Sequence, residues 1–112
     1  MDEEVPQAKE LAPEPEVIIK TVCNYYGVDR EDLCKSRRGM FNEPKSAAIY
    51  LMRQLRRDTL QEIGKQFRVE KYSSVSSSIE STKQKMQKNR NLKRRLSELS
   101  GRIKKSKADL TP

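Results

Sequence analysis

The run with the most distinctive chemistry is Lys71-Tyr72-Ser73-Ser74-Val75-Ser76-Ser77-Ser78, in which many hydroxyl groups follow a lysine. Serine is an uncommon choice for an ordinary helix surface, because its side chain competes with the backbone for hydrogen bonds. Hydroxyls that donate and accept at close range suit a helix lying against another polar surface, such as a DNA major groove. The alternative is that the serines only cap and cover a weakly helical surface segment.

The chain has few of the residue types that catalytic and metal-binding sites commonly use. The 112 residues include no His and two Cys. Without His there is no Ser-His-Asp triad and no His general base, and two cysteines alone cannot complete a four-ligand zinc site. The four glycines lack the spacing of a phosphate-binding loop. We expect a non-enzymatic protein without metal or cofactor, in which Cys23 and Cys34 stay reduced.

The charge is unevenly distributed. The net charge of +8 combines −5 over residues 1–16, which hold six acids and one lysine, with +13 over residues 17–112, which hold 23 bases and ten acids. A basic body indicates a polyanionic partner, most often nucleic acid. No apolar run approaches the roughly 18 residues of a membrane span. We therefore expect no membrane partner and a cytoplasmic, nucleoid-associated location.

The organisation of the chain follows from its composition. Residues 1–15 alternate proline with acidic residues and lack an apolar period, which predicts a disordered linker or tail. Helical spacing of apolar residues begins at Glu16, so the folded domain is expected over residues 16–103. Residues 104–112 are expected to form a frayed basic tail.

Local signals predict where the helices begin and end. Gly27 is a candidate C-cap for the first helix, and Asp29 can start a short helix over Arg30–Cys34. Asn42 is expected to cap a central helix, and Thr59 with Glu62 forms a capping box for the next. Because no alternating strand pattern is present, the fold class is predicted to be all-α.

The apolar positions at helical spacing predict the core. They are Ile18, Ile19, Val22, Cys23, Tyr26, Leu33, Ala47, Ala48, Ile49, Tyr50, Leu51, Met52, Leu55, Leu60, Ile63, Phe67, Val75, Ile79 and Met86. Gly64, which lacks a side chain, is expected to let a neighbouring helix come close.

A last apolar stripe has two interpretations. Leu92, Leu96, Leu99 and Ile103 lie on one face of an amphipathic helix. The stripe either folds back onto the domain's own core, which favours a monomer, or pairs helices between two chains, which would make this a protein-interaction or homodimerisation module. We favour the first interpretation, because the stripe is too short to predict a coiled coil.

Residues Thr59 to Ile79 have the shape of a helix-turn-helix, in which a short helix, a turn and a second helix follow one another. In such motifs the second helix enters the DNA major groove. Together with the basic body, the motif predicts binding of double-stranded DNA. RNA binding is a weaker alternative, since aromatic residues make up 5% of the chain and no stacking run is present.

A family resemblance supports this interpretation. Residues 17–86 resemble the C-terminal DNA-binding domain of the bacterial replication initiator DnaA, through Tyr25-Tyr26-Gly27-Val28, Pro44-Lys45-Ser46-Ala47-Ala48-Ile49-Tyr50-Leu51 and Leu60-Gln61-Glu62-Ile63-Gly64. A closer resemblance, through Asn42-Glu43-Pro44 and Tyr72-Ser73-Ser74-Val75-Ser76, is to the DnaA-like domain of REP-associated tyrosine transposases. The resemblance implies a helical bundle of the DnaA domain IV or Trp-repressor type, and a DNA-targeting part of a transposase or DnaA-related protein.

The resemblance also implies residue roles. Arg37, with Arg38 as a near alternative, matches an arginine that enters the minor groove. Arg53 matches a lysine that reaches a base from the central helix. Lys71, Tyr72, Ser73 and Ser74 occupy the positions of the family's base-reading Asp-His-Thr-Thr run. Because Lys replaces the acidic acceptor that can pair with cytosine N4, the DNA sequence read is expected to differ from the DnaA box.

Further residues are expected to contact phosphates, which sets affinity and register without reading sequence. The predicted phosphate contacts are Lys35, Lys65, Arg68, Ser76 and Ser77, and Arg56 and Arg57 are weaker candidates. Lys104, Lys105 and Lys107 are expected to be solvated surface charges.

Overall fold

The computed structural model describes residues 13–34 and 42–109, with side chains up to Lys104. The described residues form helices and connecting turns without a strand, which confirms the all-α prediction. The helices are α1 (Pro15–Tyr26), α2 (Arg30–Cys34), α3 (Glu43–Leu51, continued by a π-helical turn, Met52–Arg56), α4 (Leu60–Phe67), α5 (Tyr72–Lys88) and α6 (Arg90–Asp109). None of them is long and apolar enough to cross a membrane.

The predicted helix ends are confirmed where short-range signals specify them. Gly27 closes α1 in the left-handed conformation, with φ 68°, and its N–H donates to the Cys23 carbonyl. The Asn42 side chain accepts the Lys45 N–H at 3.3 Å. At the start of α4 the Thr59 hydroxyl accepts the Glu62 N–H at 3.1 Å, and the Glu62 carboxylate accepts the Thr59 N–H at 2.8 Å.

Two features differ from the expected helix boundaries. The end of α3 widens into a π-helical turn that closes at Arg57 in the left-handed conformation, with φ 58°. No glycine or proline marks this site, so no local signal predicts it. In addition, α6 continues to Asp109, past the expected end of the domain at Ile103.

A single core of apolar side chains joins the helices. Six positions expected in the core are only partly buried and lie at its border: Cys23, Tyr26, Tyr50, Leu55, Leu60 and Met86. Thr82 is almost fully buried at 1% exposure and was not expected there. Its hydroxyl donates to the Ser78 carbonyl one turn earlier, at 2.7 Å, so the polar group is satisfied within the helix.

The apolar stripe of α6 belongs to this core. Leu92, Leu96, Leu99 and Ile103 are each at most 2% exposed, and α6 packs against α1, α3 and α5 of the same chain. The interpretation that the stripe folds back is confirmed. These side chains are therefore not available to pair two chains.

A polar network ties α6 to α1 and α3. The Tyr26 hydroxyl donates to Glu43 Oε2 at 2.6 Å, and Arg95 donates to both Glu43 oxygens at 2.7 and 3.0 Å. Burial, followed by the hydrogen bond to the Glu43 carboxylate, raises the pKa of Tyr26 well above its usual range. The phenol therefore stays protonated and holds α1 against α3.

Candidate nucleic-acid interface

The helix-turn-helix is formed by α4, the connection Arg68–Lys71 and α5. Arg68 closes α4 in the left-handed conformation, with φ 58°. The N–H of Val69 then donates to the Gly64 carbonyl at 2.8 Å. A Cβ on Gly64 would lie 2.6 Å from the Val69 carbonyl oxygen. The neighbouring helix α5 comes close at Gly64, as expected, with Val75 Cγ2 3.6 Å from that Cβ position, but the turn itself comes closer.

The first turn of α5 leaves its N–H groups without a side-chain cap. Lys71 occupies the N-cap position with extended backbone, and no acidic residue lies in the first turn. The interpretation in which a serine caps the helix is therefore wrong. The positive end of the helix dipole and unpaired N–H groups together favour an anion at this end.

The side chains at this end divide into an outward and an inward face. Val75 and Ile79 are buried and fix the orientation of α5. Ser73 and Ser77, one turn apart, lie on the opposite, exposed face. Tyr72 is 54% exposed, the largest exposed apolar side chain of the described residues.

Other predicted contacts lie on either side of that face. Ser74 is exposed, whereas Ser76 is only partly so. The exposed hydroxyls and the Tyr72 ring therefore lie together at the N-terminal end of α5, and Ser76 is only partly exposed. We call the residues Tyr72, Ser73, Ser74 and Ser77 the serine face.

Three cations surround the turn. Lys65 on α4, and Arg68 and Lys71 in the connection, are exposed. None of the three forms an ion pair with another described residue. Lys65, Arg68 and Tyr72 line a common depression beside the turn, which one acidic side chain, Glu70, also lines. The predicted phosphate contacts of the helix-turn-helix thus lie next to the serine face.

Arg53 lies at the entrance to the helix-turn-helix. Its side chain leaves the π-helical turn and donates from Nη1 to the Asp58 carbonyl at 2.7 Å, just before α4 begins. The residue remains exposed. Since a guanidinium carries five N–H donors, this hydrogen bond positions the group and leaves donors for a ligand.

The corner formed by Arg56, Asp58 and Pro13 is not predicted by any local pattern of the sequence. Asp58 is 3% exposed, and its carboxylate accepts Arg56 Nε at 2.9 Å. Arg56 Nη1 also donates to the Pro13 carbonyl at 2.8 Å. Arg56, expected to be a weak phosphate contact, is instead bound within the fold. The corner anchors the start of α4 to the end of α3 and to the segment before α1.

The predicted minor-groove residues, Arg37 and Arg38, lie outside the described residues, as does the predicted phosphate contact Lys35. The described residues on either side of that segment are joined by a hydrogen bond from Asn42 Nδ2 to the Asp32 carbonyl at 3.0 Å.

No metal centre is apparent in the described part of the chain, where no group of three or more Cys, Asp or Glu side chains could hold an ion. Cys23 and Cys34 are both free thiols. Burial is the main cause that raises the pKa of the Cys23 thiol, so this group is not activated as a nucleophile.

Comparison with known proteins identifies relatives of this arrangement. Residues 15–81 match the family described as the bacterial DnaA protein helix-turn-helix. Chromosomal replication initiator protein DnaA from Rippkaea orientalis is 35% identical over 99 residues, which are 88% of this chain and 22% of that protein. The protein of the same name from Crocosphaera subtropica is 33% identical with the same coverage.

A third relative, the DnaA protein of Magnetococcus marinus, is 38% identical over 65 residues, which are 57% of this chain and 14% of that protein. The chain thus spans about a fifth or less of the length of these relatives. No solved structure gives a significant match.

Proposed function

Since the chain belongs to the bacterial DnaA helix-turn-helix family, we propose that it binds double-stranded DNA sequence-selectively. In this proposal the N-terminal end of α5 enters the major groove, and the Lys35–Arg38 loop reaches the adjacent minor groove. The observation that carries the proposal is the uncapped N-terminal end of α5, surrounded by exposed hydroxyls and by cations without acidic partners.

The proposed base contacts come from two elements. Lys71, Tyr72, Ser73 and Ser74 approach base edges from α5, and Arg53 approaches from the π-helical turn of α3. An arginine can pair bidentately with guanine O6 and N7, and each such contact is worth about 1–3 kcal/mol of discrimination. Lys71 is a donor where the family has an acidic acceptor, so the preferred sequence differs from that of a protein with the family's usual residues.

The proposed phosphate contacts are Lys35, Lys65, Arg68, Ser76 and Ser77. Lys65 and Arg68 are supported by their exposure and by the absence of an ion-pair partner among the described residues. Charge at these positions strengthens binding to every sequence, and the strength falls as salt increases. The α5 N-terminus adds backbone N–H donors for a phosphate oxygen.

The wider setting of the chain follows from the same premise. We propose that it is the DNA-targeting part of a transposase or of another DnaA-related protein, acts as a monomer and works in the cytoplasm at the nucleoid. The relatives are initiator proteins of which this chain corresponds to a small part, and initiator activity is not proposed for it.

Selection of bound sequences from a random duplex pool, followed by affinity measurements on single-base variants of the selected site, tests the proposal. Ser74→Ala should reduce discrimination at one base position, while Ser81→Ala, about 10 Å further along α5, should not. Recovery of no preferred sequence, or equal effects of the two variants, would contradict sequence reading by the serine face.

A further inference from the structure

The basic charge of the chain is concentrated away from the helix-turn-helix. Residues 59–79 hold three bases and two acids, net +1, whereas residues 80–109 hold eleven bases and three acids, net +8. The helix-turn-helix therefore carries only a small part of the positive charge that indicated a polyanionic partner. Most of it lies on the second half of α5 and on α6.

The cations on one side of α6 form ion pairs, and those on the other side do not. On one side Arg95 is bound to Glu43 and Arg102 to Glu98. The other side, which we call the α6 flank, consists of Arg90, Lys93, Ser97, Ser100, Gly101 and Lys104. Its three cations are exposed and form no ion pair with a described residue.

The α6 flank borders a cavity. Lys93, Ser97, Ser100, Gly101 and Lys104 line it together with Tyr50, Gln54 and Leu55 of α3 and Met86 of α5. A second depression continues past Lys93 to Lys83. No acidic side chain lines either of them. The result is an electropositive row with hydroxyls between the lysines.

The small side chains in this row allow a ligand to come close to the backbone of α6. A Cβ on Gly101 would meet no atom within 4 Å, so packing does not require glycine there. Glycine weakens a helix interior, but it lets the backbone of a ligand come near. Arg90 and Lys104 are 14 residues apart, about 21 Å along the helix, which spans several successive phosphates of a DNA strand.

The α6 flank begins at the end of α5 that lies opposite the serine face. Tyr72 and Lys88 mark the two ends of α5, about 24 Å apart, and the major groove is about 12 Å wide. The Arg90 end of the flank therefore lies about two groove widths from the serine face, measured along α5.

We propose that the α6 flank binds the sugar–phosphate backbone of a second duplex DNA segment. Lys93, Lys104 and Arg90 contact phosphates, and Ser97 and Ser100 donate hydrogen bonds to phosphate oxygens. Binding there is independent of sequence, because no groove-entering element accompanies the row. One domain thereby holds two DNA segments, one read by α5 and one held by α6.

The test measures how many duplexes bind one chain. The full chain is titrated at low salt with a short duplex of the selected sequence and then with a short unrelated duplex, with stoichiometry followed by native mass spectrometry and amide shifts by NMR. We expect two duplexes per chain and shifts at residues 90–104 with either DNA. Lys93→Gln with Lys104→Gln should leave one duplex bound per chain, because the phosphate contacts of the second duplex are lost.

A charge-matched control separates location from net charge. Lys20→Gln with Arg57→Gln removes two exposed cations outside α6 and should retain the second duplex. Equal effects of the two double variants, or one duplex per chain with residues 90–104 unmoved, would overturn the proposal. So would a peptide of residues 1–12 that shifts the α6 flank when DNA does not, because the occupant would then be an acidic peptide.

DNA binding by α6 can be tested separately from sequence-selective binding by the serine face. Lys65→Gln with Ser74→Ala should weaken the sequence-selective event and leave the shifts at residues 90–104. If the serine face fails to bind DNA while these shifts persist, the proposed function is wrong and the inference about α6 stands.

Discussion

At the scale of single residues, Gly64 is the described glycine at which an added Cβ would make the closest contact. A Cβ there would lie 2.6 Å from a backbone oxygen of the turn, which cannot rotate away as a side chain can. We expect Gly64→Ala to lower the free energy of unfolding by about 1–3 kcal/mol, the usual cost of overpacking. Chemical denaturation measures this directly.

Gly101 provides the matched control, because it lies within a helix and has open space around it. Gly101→Ala should raise the free energy of unfolding by up to about 1 kcal/mol, since alanine favours the helix. If Gly64→Ala were as stable as the unsubstituted chain, the result would contradict the close packing of the turn against Gly64 of α4.

Arg68 combines a strained backbone with an exposed charge. Its φ of 58° suits glycine better than arginine. Arg68→Gly should therefore keep or increase thermal stability while weakening DNA binding, with a salt slope reduced by about 0.9 for one lost phosphate contact.

Arg57 has the same φ of 58° at the end of the π-helical turn. Arg57→Gly should give the same stability effect with little loss of affinity. If both variants lost the same affinity, the loss would be a general effect of removing one charge. That result would contradict a specific phosphate contact by Arg68.

At the scale of elements, the Tyr26–Glu43–Arg95 network joins three helices and predicts a pH effect. The folded state raises the pKa of Tyr26, so the neutral phenol stabilises the fold below the unfolded value near 10. Above that pH the unfolded chain releases this proton while the folded chain keeps it. The free energy of unfolding should therefore fall as pH rises above about 10.

Denaturation at pH 8 and at pH values above 10 tests this effect. The decline should be shallower in Tyr26→Phe, which has no phenolic proton to lose. Tyr25→Phe, on the adjacent ring that packs edge-on at 5.2 Å, serves as the control and should follow the unsubstituted chain. Identical pH profiles for all three proteins would show that the network does not stabilise the fold.

The same elements separate what the sequence could predict from what it could not. The caps at Gly27, Asn42 and Thr59 were predictable, because each depends on residues no more than four apart. The bond between Arg95 and Glu43 spans 52 positions, and the one between Arg56 and Pro13 spans 43. Such contacts exist only after the helices have packed, so no local pattern reveals them.

The candidate site shows the same division. The serine run was recognisable from its composition, and the buried positions of Val75 and Ile79 follow from helical spacing. That α5 begins without a side-chain cap depends on the exact residue at which the turn ends. The distribution of cations between the two sides of α6 depends on which helices pack against it.

At the scale of the whole molecule, burial of the α6 stripe predicts a monomer. Leu96 is 2% exposed within its own chain, so Leu96→Ala should lower the free energy of unfolding by about 2–5 kcal/mol without changing the oligomeric state. Light scattering on a sizing column should give the monomer mass for both proteins. A dimer that dissociates in the variant would contradict the packing of α6 described above.

The central claim is that the N-terminal end of α5 contacts duplex DNA, and an NMR titration of the full chain with its selected duplex tests it most directly. We expect the largest amide shifts at residues 71–78, with smaller ones at Lys65, Arg68 and Arg53. Retention of every amide in 71–78 at its free position, in a titration where DNA binding is saturated, would contradict the account.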